Sequence, residues 1–163
     1  MLPEETKKKS YKLQEIHPDP RYNSVVLAKF VNHIMEQGKK DVARKIVYKA
    51  LEEIKKKEKE QKLEPLAVFE EAVLNVSPDM EVRSKRVGGA TYQVPMKVNR
   101  KRATSLAMRW IIAAAKGKKG KPMHQKLADE LFNAKNNEGE AVKKKETMHK
   151  MAKANKAFAY LAK

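Results

Sequence analysis

Arginine is scarce in this chain and is concentrated in one stretch. Lysine supplies most of the 37 basic side chains. The seven arginines are Arg21, Arg44, Arg83, Arg86, Arg100, Arg102 and Arg109. A guanidinium group makes planar, forked contacts to phosphates and to guanine bases that an ammonium group cannot copy. Because five of the seven arginines lie between residues 83 and 109, this stretch is the first candidate for a binding site, and its chemistry is phosphate recognition.

The elements that must position these arginines begin with a β-hairpin over residues 80–98. Taking Gly88-Gly89-Ala90 as a three-residue loop places apolar residues opposite apolar ones near the base of the ribbon. It also places Glu81 opposite Lys97, which makes an opposite-charge cross-strand pair. A two-residue loop would shift the register by one and set apolar residues beside polar ones. The pattern therefore predicts the three-residue loop.

The far end of this hairpin is basic and glycine-tipped. It carries Arg83, Lys85, Arg86 and Tyr92, with Arg86 expected opposite Tyr92. Tyr92 could stack on a base or serve as the cross-strand partner of Arg86. Strands of eight residues reach roughly 25 Å, which is further than a hairpin that only caps a core needs. We therefore expect an arm that reaches a partner, although a solubilising charged turn is the alternative.

Composition limits the class of that partner. The chain has 163 residues, a net charge of +17, 35% charged and 41% hydrophobic residues, and no cysteine. Such a charge favours a polyanion, either nucleic acid or an anionic membrane surface. No apolar run approaches the ~18–20 residues of a membrane span, and the N-terminus lacks the apolar stretch of a secretory signal. These features predict a soluble intracellular protein without disulfides.

Helical periodicity surrounds the hairpin on both sides. The fold class predicted is mainly α, a six-helix bundle with one protruding β-hairpin arm between the third and fourth helices. The domain organisation predicted is a flexible basic arm over 1–17, one helical domain over 18–160 with the hairpin at 80–98, and a short tail over 161–163. The first predicted helix starts near Asp19–Ser24, and Lys39-Lys40-Asp41 turns the chain into the second. The other predicted helices span Leu63–Val76, follow the cap Asn99, and span Met123–Asn136 and Glu140–Tyr160.

Arg102, Arg109 and Lys116 recur every seven residues on the fourth helix. A period of 3.6 residues drifts only ~20° per heptad, so the three cations form a stripe on one helix face. An ordinary solvated face is the alternative to a phosphate-binding one. The loop that follows, Gly117–Gly120, matches the G-x-x-G loop of KH modules, but Pro122 and the missing three-stranded sheet disfavour that interpretation.

Catalysis has no support in the sequence. The four histidines are scattered without ligand spacing, and we expect His33 to be packed in the core. Adjacent glutamates such as Glu52-Glu53 splay apart on a helix and do not form an acid–base pair. There is no nucleophile–base constellation. We therefore predict no enzyme activity, no metal and no cofactor.

Several segments together resemble the small-subunit ribosomal protein S-seven family, the seventh protein of the small ribosomal subunit. They are Asp19–Ala50 with Gly38-Lys39-Lys40, Val82–Pro95, Arg109-Trp110, Ala141–Lys145, Met151-Ala152 and Ala154–Phe158. The resemblance covers roughly residues 16–160 and is most specific in the hairpin. The Lys/Glu-rich stretch around residues 55–62 looks longer than is usual in the family and is interpreted as a surface elaboration.

The resemblance implies a structural constituent of the small ribosomal subunit. It implies primary binding to ribosomal RNA (rRNA), organisation of the 3′ major (head) domain, and a hairpin near the exit-site tRNA and the mRNA. It also implies neighbouring head and platform ribosomal proteins as partners and a cytoplasmic ribosome as the location, unless the ribosome is organellar. The expected rRNA-binding residues are Lys29, Gly38, Lys39, Lys40, Arg83, Lys85, Arg86, Tyr92, Arg100, Arg102, Arg109, Lys116, Lys118, Lys119, Lys143, Lys144 and Lys145.

Charge and architecture taken alone leave a second hypothesis open. A DNA-architectural protein of the histone-like kind also lays a basic β-arm into a groove of its nucleic acid. Such arms usually work in pairs on smaller dimeric subunits, which disfavours this alternative. A membrane-surface protein is disfavoured because no helix has a strongly apolar and aromatic face.

Overall fold

A computed structural model describes residues 15–57 and 64–162. In chain order the elements are α1 (Val25–Ile34), α2 (Lys40–Lys57), α3 (Pro65–Val76), β1 (Met80–Val87), β2 (Ala90–Lys97), α4 (Arg100–Gly117), α5 (Met123–Lys135), α6 (Glu140–Ala154) and a 3₁₀ helix, η1 (Lys156–Ala162). The predicted fold class is confirmed: a mainly helical bundle carries one β-hairpin between its third and fourth helices. Residues 1–14 of the predicted N-terminal arm, residues 58–63 and Lys163 lie outside the described residues.

Local sequence explains where the helices begin. The Ser24 side chain accepts a hydrogen bond from the Leu27 amide at 3.3 Å, which caps α1. Asn99 caps α4 in the same way by accepting from the Arg102 amide at 2.9 Å. Pro65 occupies the first position of α3, where a missing N–H leaves no hydrogen bond unmade.

One hydrophobic core joins the helices. Phe30 of α1 and Phe69 of α3 are fully buried, with ring centroids 5.0 Å apart. Leu127 and Leu131 bring α5 into the same core. Trp110 packs against this core from its edge, as expected for a core residue rather than a ligand-stacking one. Within the described ranges, no helix combines the length and the apolarity needed to cross a bilayer.

The predicted hairpin register is wrong by one residue. The observed loop has two residues, Gly88 and Gly89, and Val87 pairs with Ala90. Both glycines have positive φ, +58° and +88°, which is the conformation that a tight two-residue hairpin turn requires. Consequently Glu81 lies opposite Met96 rather than Lys97.

The same correction moves Arg86 away from Tyr92. Tyr92 pairs with Lys85, and Arg86 pairs with Thr91. Because side chains alternate along a strand, Lys85 and Tyr92 lie on one face of the hairpin and Arg86 lies on the other. The proposed role of Tyr92 as cross-strand partner of Arg86 is therefore wrong.

One helix prediction also needs correction. The sixth helix ends at Ala154 rather than Tyr160, and the chain continues as η1. Met151, near the end of α6, is 44% exposed.

A buried carboxylate fixes the start of α6. Glu130 of α5 is fully buried and accepts a hydrogen bond from the Ala141 amide at 2.9 Å. Lys118 lies 2.6 Å from its other oxygen. Gly139 has φ +94°, and an added Cβ there would lie 2.8 Å from the Glu130 carboxylate. Position 139 therefore requires glycine, both because its φ is positive and because a Cβ would collide with the Glu130 carboxylate.

Candidate nucleic-acid interface

The base of the arm (β1 and β2) is tied to α4 through Glu81. This carboxylate is 5% exposed and accepts from Nε of Arg102 at 2.9 and 3.0 Å and from Nε of Arg83 at 2.6 Å. Hydrogen bonds between ionised groups are stronger than neutral ones and have narrow geometry. Glu81 therefore holds two of the predicted RNA-binding arginines in fixed positions, while both side chains stay about half exposed, at 50% and 42%.

The tip of the arm, residues 83–91, is exposed throughout. Arg86 has no ion-pair partner among the described residues and lies on the face opposite Lys85. Pro95 pairs with Val82. The Val98 amide donates to the Asp79 carbonyl three positions along the ladder, so Val82 and Pro95 form one of the alternate pairs that exchange no ladder hydrogen bond. The missing N–H of Pro95 therefore costs no ladder hydrogen bond.

The other face of the arm rests on the C-terminal segment, η1. The Tyr92 and Phe158 rings have centroids 5.2 Å apart, and Lys85 Nζ donates to the Leu161 carbonyl at 2.8 Å. Two-stranded ribbons are marginally stable alone. The C-terminal segment thus supplies the packing that the arm lacks, and it occupies the side of the arm on which Lys85 and Tyr92 lie.

The α4 strip, defined as Arg102, Arg109 and Lys116, connects the arm to α1. Arg109 donates to Ser105 Oγ at 3.4 Å, and Ser105 Oγ lies 3.3 Å from Nε2 of His33 on α1. Lys116 pairs with Glu36, just after α1. The predicted stripe is thus continuous from the arm to the turn after α1.

His33 is exposed rather than packed in the core as expected. Partial burial of its ring, and then the nearby positive charge of Arg109, lower the pKa of His33 below its ordinary 6.5. At neutral pH a neutral His33 therefore lies on α1 beside the α4 strip, and an approaching anion would favour its protonation.

The turn between α1 and α2 extends this basic surface. Gly38 has φ +73° with open space around it, and Lys39 and Lys40 after it are exposed. Lys29 on α1 is half-buried, and Arg100 at the start of α4 is exposed. The structure thus brings the arm, the α4 strip and the α1–α2 turn together along one side of α1 and α4.

The remaining predicted cations belong to a separate group around the start of α6. Lys118 pairs with the buried Glu130, Lys143 pairs with Glu140 at 2.9 Å, and Lys145 donates to the Asn75 carbonyl at 2.8 Å. Lys119 and Lys144 are exposed. In this second group three of the five lysines already have intramolecular partners, so their availability to a phosphate is reduced.

Sequence reasoning missed Glu81 and Glu130, the two buried carboxylates that position these cations. Glu81 and Arg83 are two residues apart in a strand and therefore share a face, which is a detectable signal. Glu130 had no such signal, because its partners come from the α4–α5 loop and from α6.

The chemistry of this surface is that of fixed positive charge. In the described part of the chain, no group of His, Asp and Glu side chains has the geometry of a metal site. The fold and the surface together define a class, namely a basic helical scaffold protein with an extended β-arm.

Comparison with known proteins identifies the family. The family model described as "Ribosomal protein S7p/S5e" matches residues 6–156. A protein of Thermotoga neapolitana named small ribosomal subunit protein uS7 is 56% identical over 147 residues, covering 90% of this chain and 93% of its own. Proteins with the same name from Thermosipho africanus and Afipia carboxidovorans are 53% and 52% identical, covering 91% and 95% of this chain and 94% and 97% of their own.

The chain belongs to the ribosomal protein S7p/S5e family. It is therefore a structural ribosomal protein and not an enzyme, as the sequence predicts.

Proposed function

We propose that this chain is a primary rRNA-binding protein of the small ribosomal subunit that organises the 3′ major (head) domain. The arm would lie near the exit-site tRNA and the mRNA, and other head and platform proteins would be neighbours. The protein would work in the cytoplasm as part of the ribosome. Family membership and the names of the relatives support this assignment.

The observation that carries the proposal is the continuity of exposed cations from the arm tip to the α1–α2 turn. Arg86, Arg109 and Lys39 belong to the arm, to α4 and to the α1–α2 turn, and one hydrophobic core joins α4 to the helices on either side of that turn. A rigid body of this kind meets phosphates from several directions without a large ordering cost. Affinity would come from phosphate neutralisation, and orientation from the arm.

Glu81 strengthens the proposal because it orders two arginines before RNA arrives. Arg102 uses only Nε for Glu81, so its terminal nitrogens remain available for a phosphate. A guanidinium held this way loses less side-chain entropy on binding. We infer that Arg102 and Arg83 contact phosphates while still bound to Glu81.

Salt-dependent competition tests the proposal. If about six of these cations reach phosphates, log Kobs should fall with log[salt] with a slope of about −4 to −5. Folded RNA of the 3′ major domain should bind more tightly than duplex DNA of equal length at physiological salt. Equal affinity for the two would favour the DNA-architectural alternative and would refute specific rRNA binding.

A further inference from the structure

A groove of about 690 Å³ lies between α3, the base of the arm and the start of α4. Val26, Val73, Leu74 and Val98 supply its apolar lining. Leu74 is 69% exposed, the largest exposed fraction among the valine, leucine and isoleucine side chains of residues 15–57 and 64–162. Removing a leucine side chain from water is favourable. An apolar groove with an exposed leucine is therefore a suitable binding surface for another molecule.

The rim of this groove is acidic, which is unusual for a chain of net charge +17. Glu70, Glu71 and Asp79 border it, against a single arginine, Arg100. None of the three carboxylates forms an ion pair with another described residue, and Glu70 accepts only a weak 3.5 Å hydrogen bond from Ser24. Elsewhere most described carboxylates are paired, as Glu36 is with Lys116.

The acidic rim selects among possible occupants. An RNA backbone would meet three carboxylates against one arginine and would be repelled by the net negative charge over a distance of about a Debye length, ~8 Å at physiological salt. A second copy of this strongly cationic chain is disfavoured by the overall repulsion between the two molecules. A basic polypeptide segment with an apolar side chain satisfies both the charge and the apolar lining.

We propose that this groove is a docking surface for a basic, apolar-bearing segment of another protein. An apolar side chain of that segment packs on Leu74 and Val73, and flanking lysine or arginine side chains pair with the acidic rim. The surface is separate from the α4 strip and the α1–α2 turn, so the chain can hold RNA and a protein at the same time. The docking surface is independent of which RNA phosphates the cations contact.

The absence of cysteine from the chain makes a direct test possible. Leu74→Cys introduces a single thiol at the groove, and Val42→Cys introduces one at a 54% exposed position beside the α1–α2 turn. In the free chain both thiols should react rapidly with N-ethylmaleimide. In the assembled small subunit the Leu74→Cys thiol should react at least tenfold more slowly, and an unchanged rate would overturn the proposal.

A benzophenone-maleimide label on each thiol then identifies what lies there. From Leu74→Cys we expect crosslinks to a polypeptide segment rich in lysine or arginine, and from Val42→Cys we expect crosslinks to RNA. Adding Glu71→Lys to Leu74→Cys should lower the protein crosslink about tenfold, whereas adding Glu138→Lys, at an exposed site outside the groove, should not. Crosslinks from Leu74→Cys to RNA or to a second copy, or an equal yield with Glu71→Lys, would overturn the docking surface.

The two proposals fail in different ways in this experiment. Exclusion of the Val42→Cys chain from the particle would refute the ribosomal RNA-binding function. An unprotected Leu74→Cys thiol in a particle that accepts the Val42→Cys control would refute the docking surface alone.

Discussion

Replacing Arg102 by alanine should damage both folding and RNA binding. Arg102 Nε donates to both carboxylate oxygens of Glu81, and Glu81 is 5% exposed. Arg102→Ala leaves this buried carboxylate with Arg83 as its remaining cation among the described residues. Hydrogen bonds to charged groups contribute about 1.5–3 kcal/mol, and an unpaired buried charge costs more. Because Arg83 stays in place, we expect the free energy of unfolding to fall by about 1–3 kcal/mol.

Arg86→Ala is the matched control, since Arg86 is an exposed arginine on the same arm without such a partner. Surface substitutions of this kind usually change stability by less than about 0.5 kcal/mol. For a domain of this size we therefore expect Tm to fall by roughly 2–12 °C with Arg102→Ala and by less than about 2 °C with Arg86→Ala. Both substitutions should weaken RNA binding and lower the magnitude of the salt slope by ~1, because each removes one phosphate contact.

The assay combines calorimetric unfolding with RNA titrations at four salt concentrations. Equal Tm values for the two variants would show that Glu81 does not depend on Arg102. An unchanged affinity and salt slope in both variants would show that the arm and the α4 strip do not contact RNA phosphates.

Three further predictions follow from other contacts. Gly139→Ala should lower the free energy of unfolding by about 2–5 kcal/mol, because it adds backbone strain and displaces the Glu130 carboxylate that caps α6. Gly120→Ala is the control, since Gly120 has φ +81° with open space around it and should show the backbone strain alone. Equal losses of unfolding free energy in the two variants would contradict the close contact at Gly139. The pKa of His33 should lie below 6.5 in the free protein, so the unfolded chain takes up this proton more readily and stability falls as the pH falls through 6.5. RNA should raise the pKa of His33 and should bind more tightly at pH 5.5 than at pH 7.5. An NMR titration that shows no rise in this pKa on RNA binding would contradict the prediction. Phe158→Ala should speed hydrogen exchange of the arm amides about tenfold or more without changing exchange in the core, whereas Tyr160→Ala, at a 70% exposed position, should not.

The helices were predictable because their signals are local. Capping by Asn99 and the proline at the start of α3 act within one turn of the chain. Hydrophobic periodicity then identified the buried faces, including Leu127 and Leu131. The end of α6 was missed because the apolar residues after Ala154 pack on the arm, not on the helical core.

The hairpin register was not predictable from apolar matching. Apolar matching places Glu81 opposite Lys97, whereas Glu81 lies opposite Met96, is buried and accepts hydrogen bonds from two arginines. One of those arginines, Arg102, is 21 residues away, so the compensation is a tertiary contact. The candidate cations can be named from the sequence. The groups that pair with them, such as Glu81 with Arg102 and Glu130 with Lys118, come from distant parts of the chain and are seen only in the structure.

The most direct test of the central claim is a hydroxyl-radical footprint on RNA of the 3′ major domain. The claim is that one rigid helical body presents the arm and the α4 strip to the same RNA. The intact chain is compared with a variant in which residues 86–91 are replaced by Asn-Gly, which keeps the Lys85–Tyr92 pair next to a two-residue turn. We expect at least two separate protected regions, one of which is lost in the shortened variant while the others remain. Identical footprints for the two chains, or no protection with either, would contradict it.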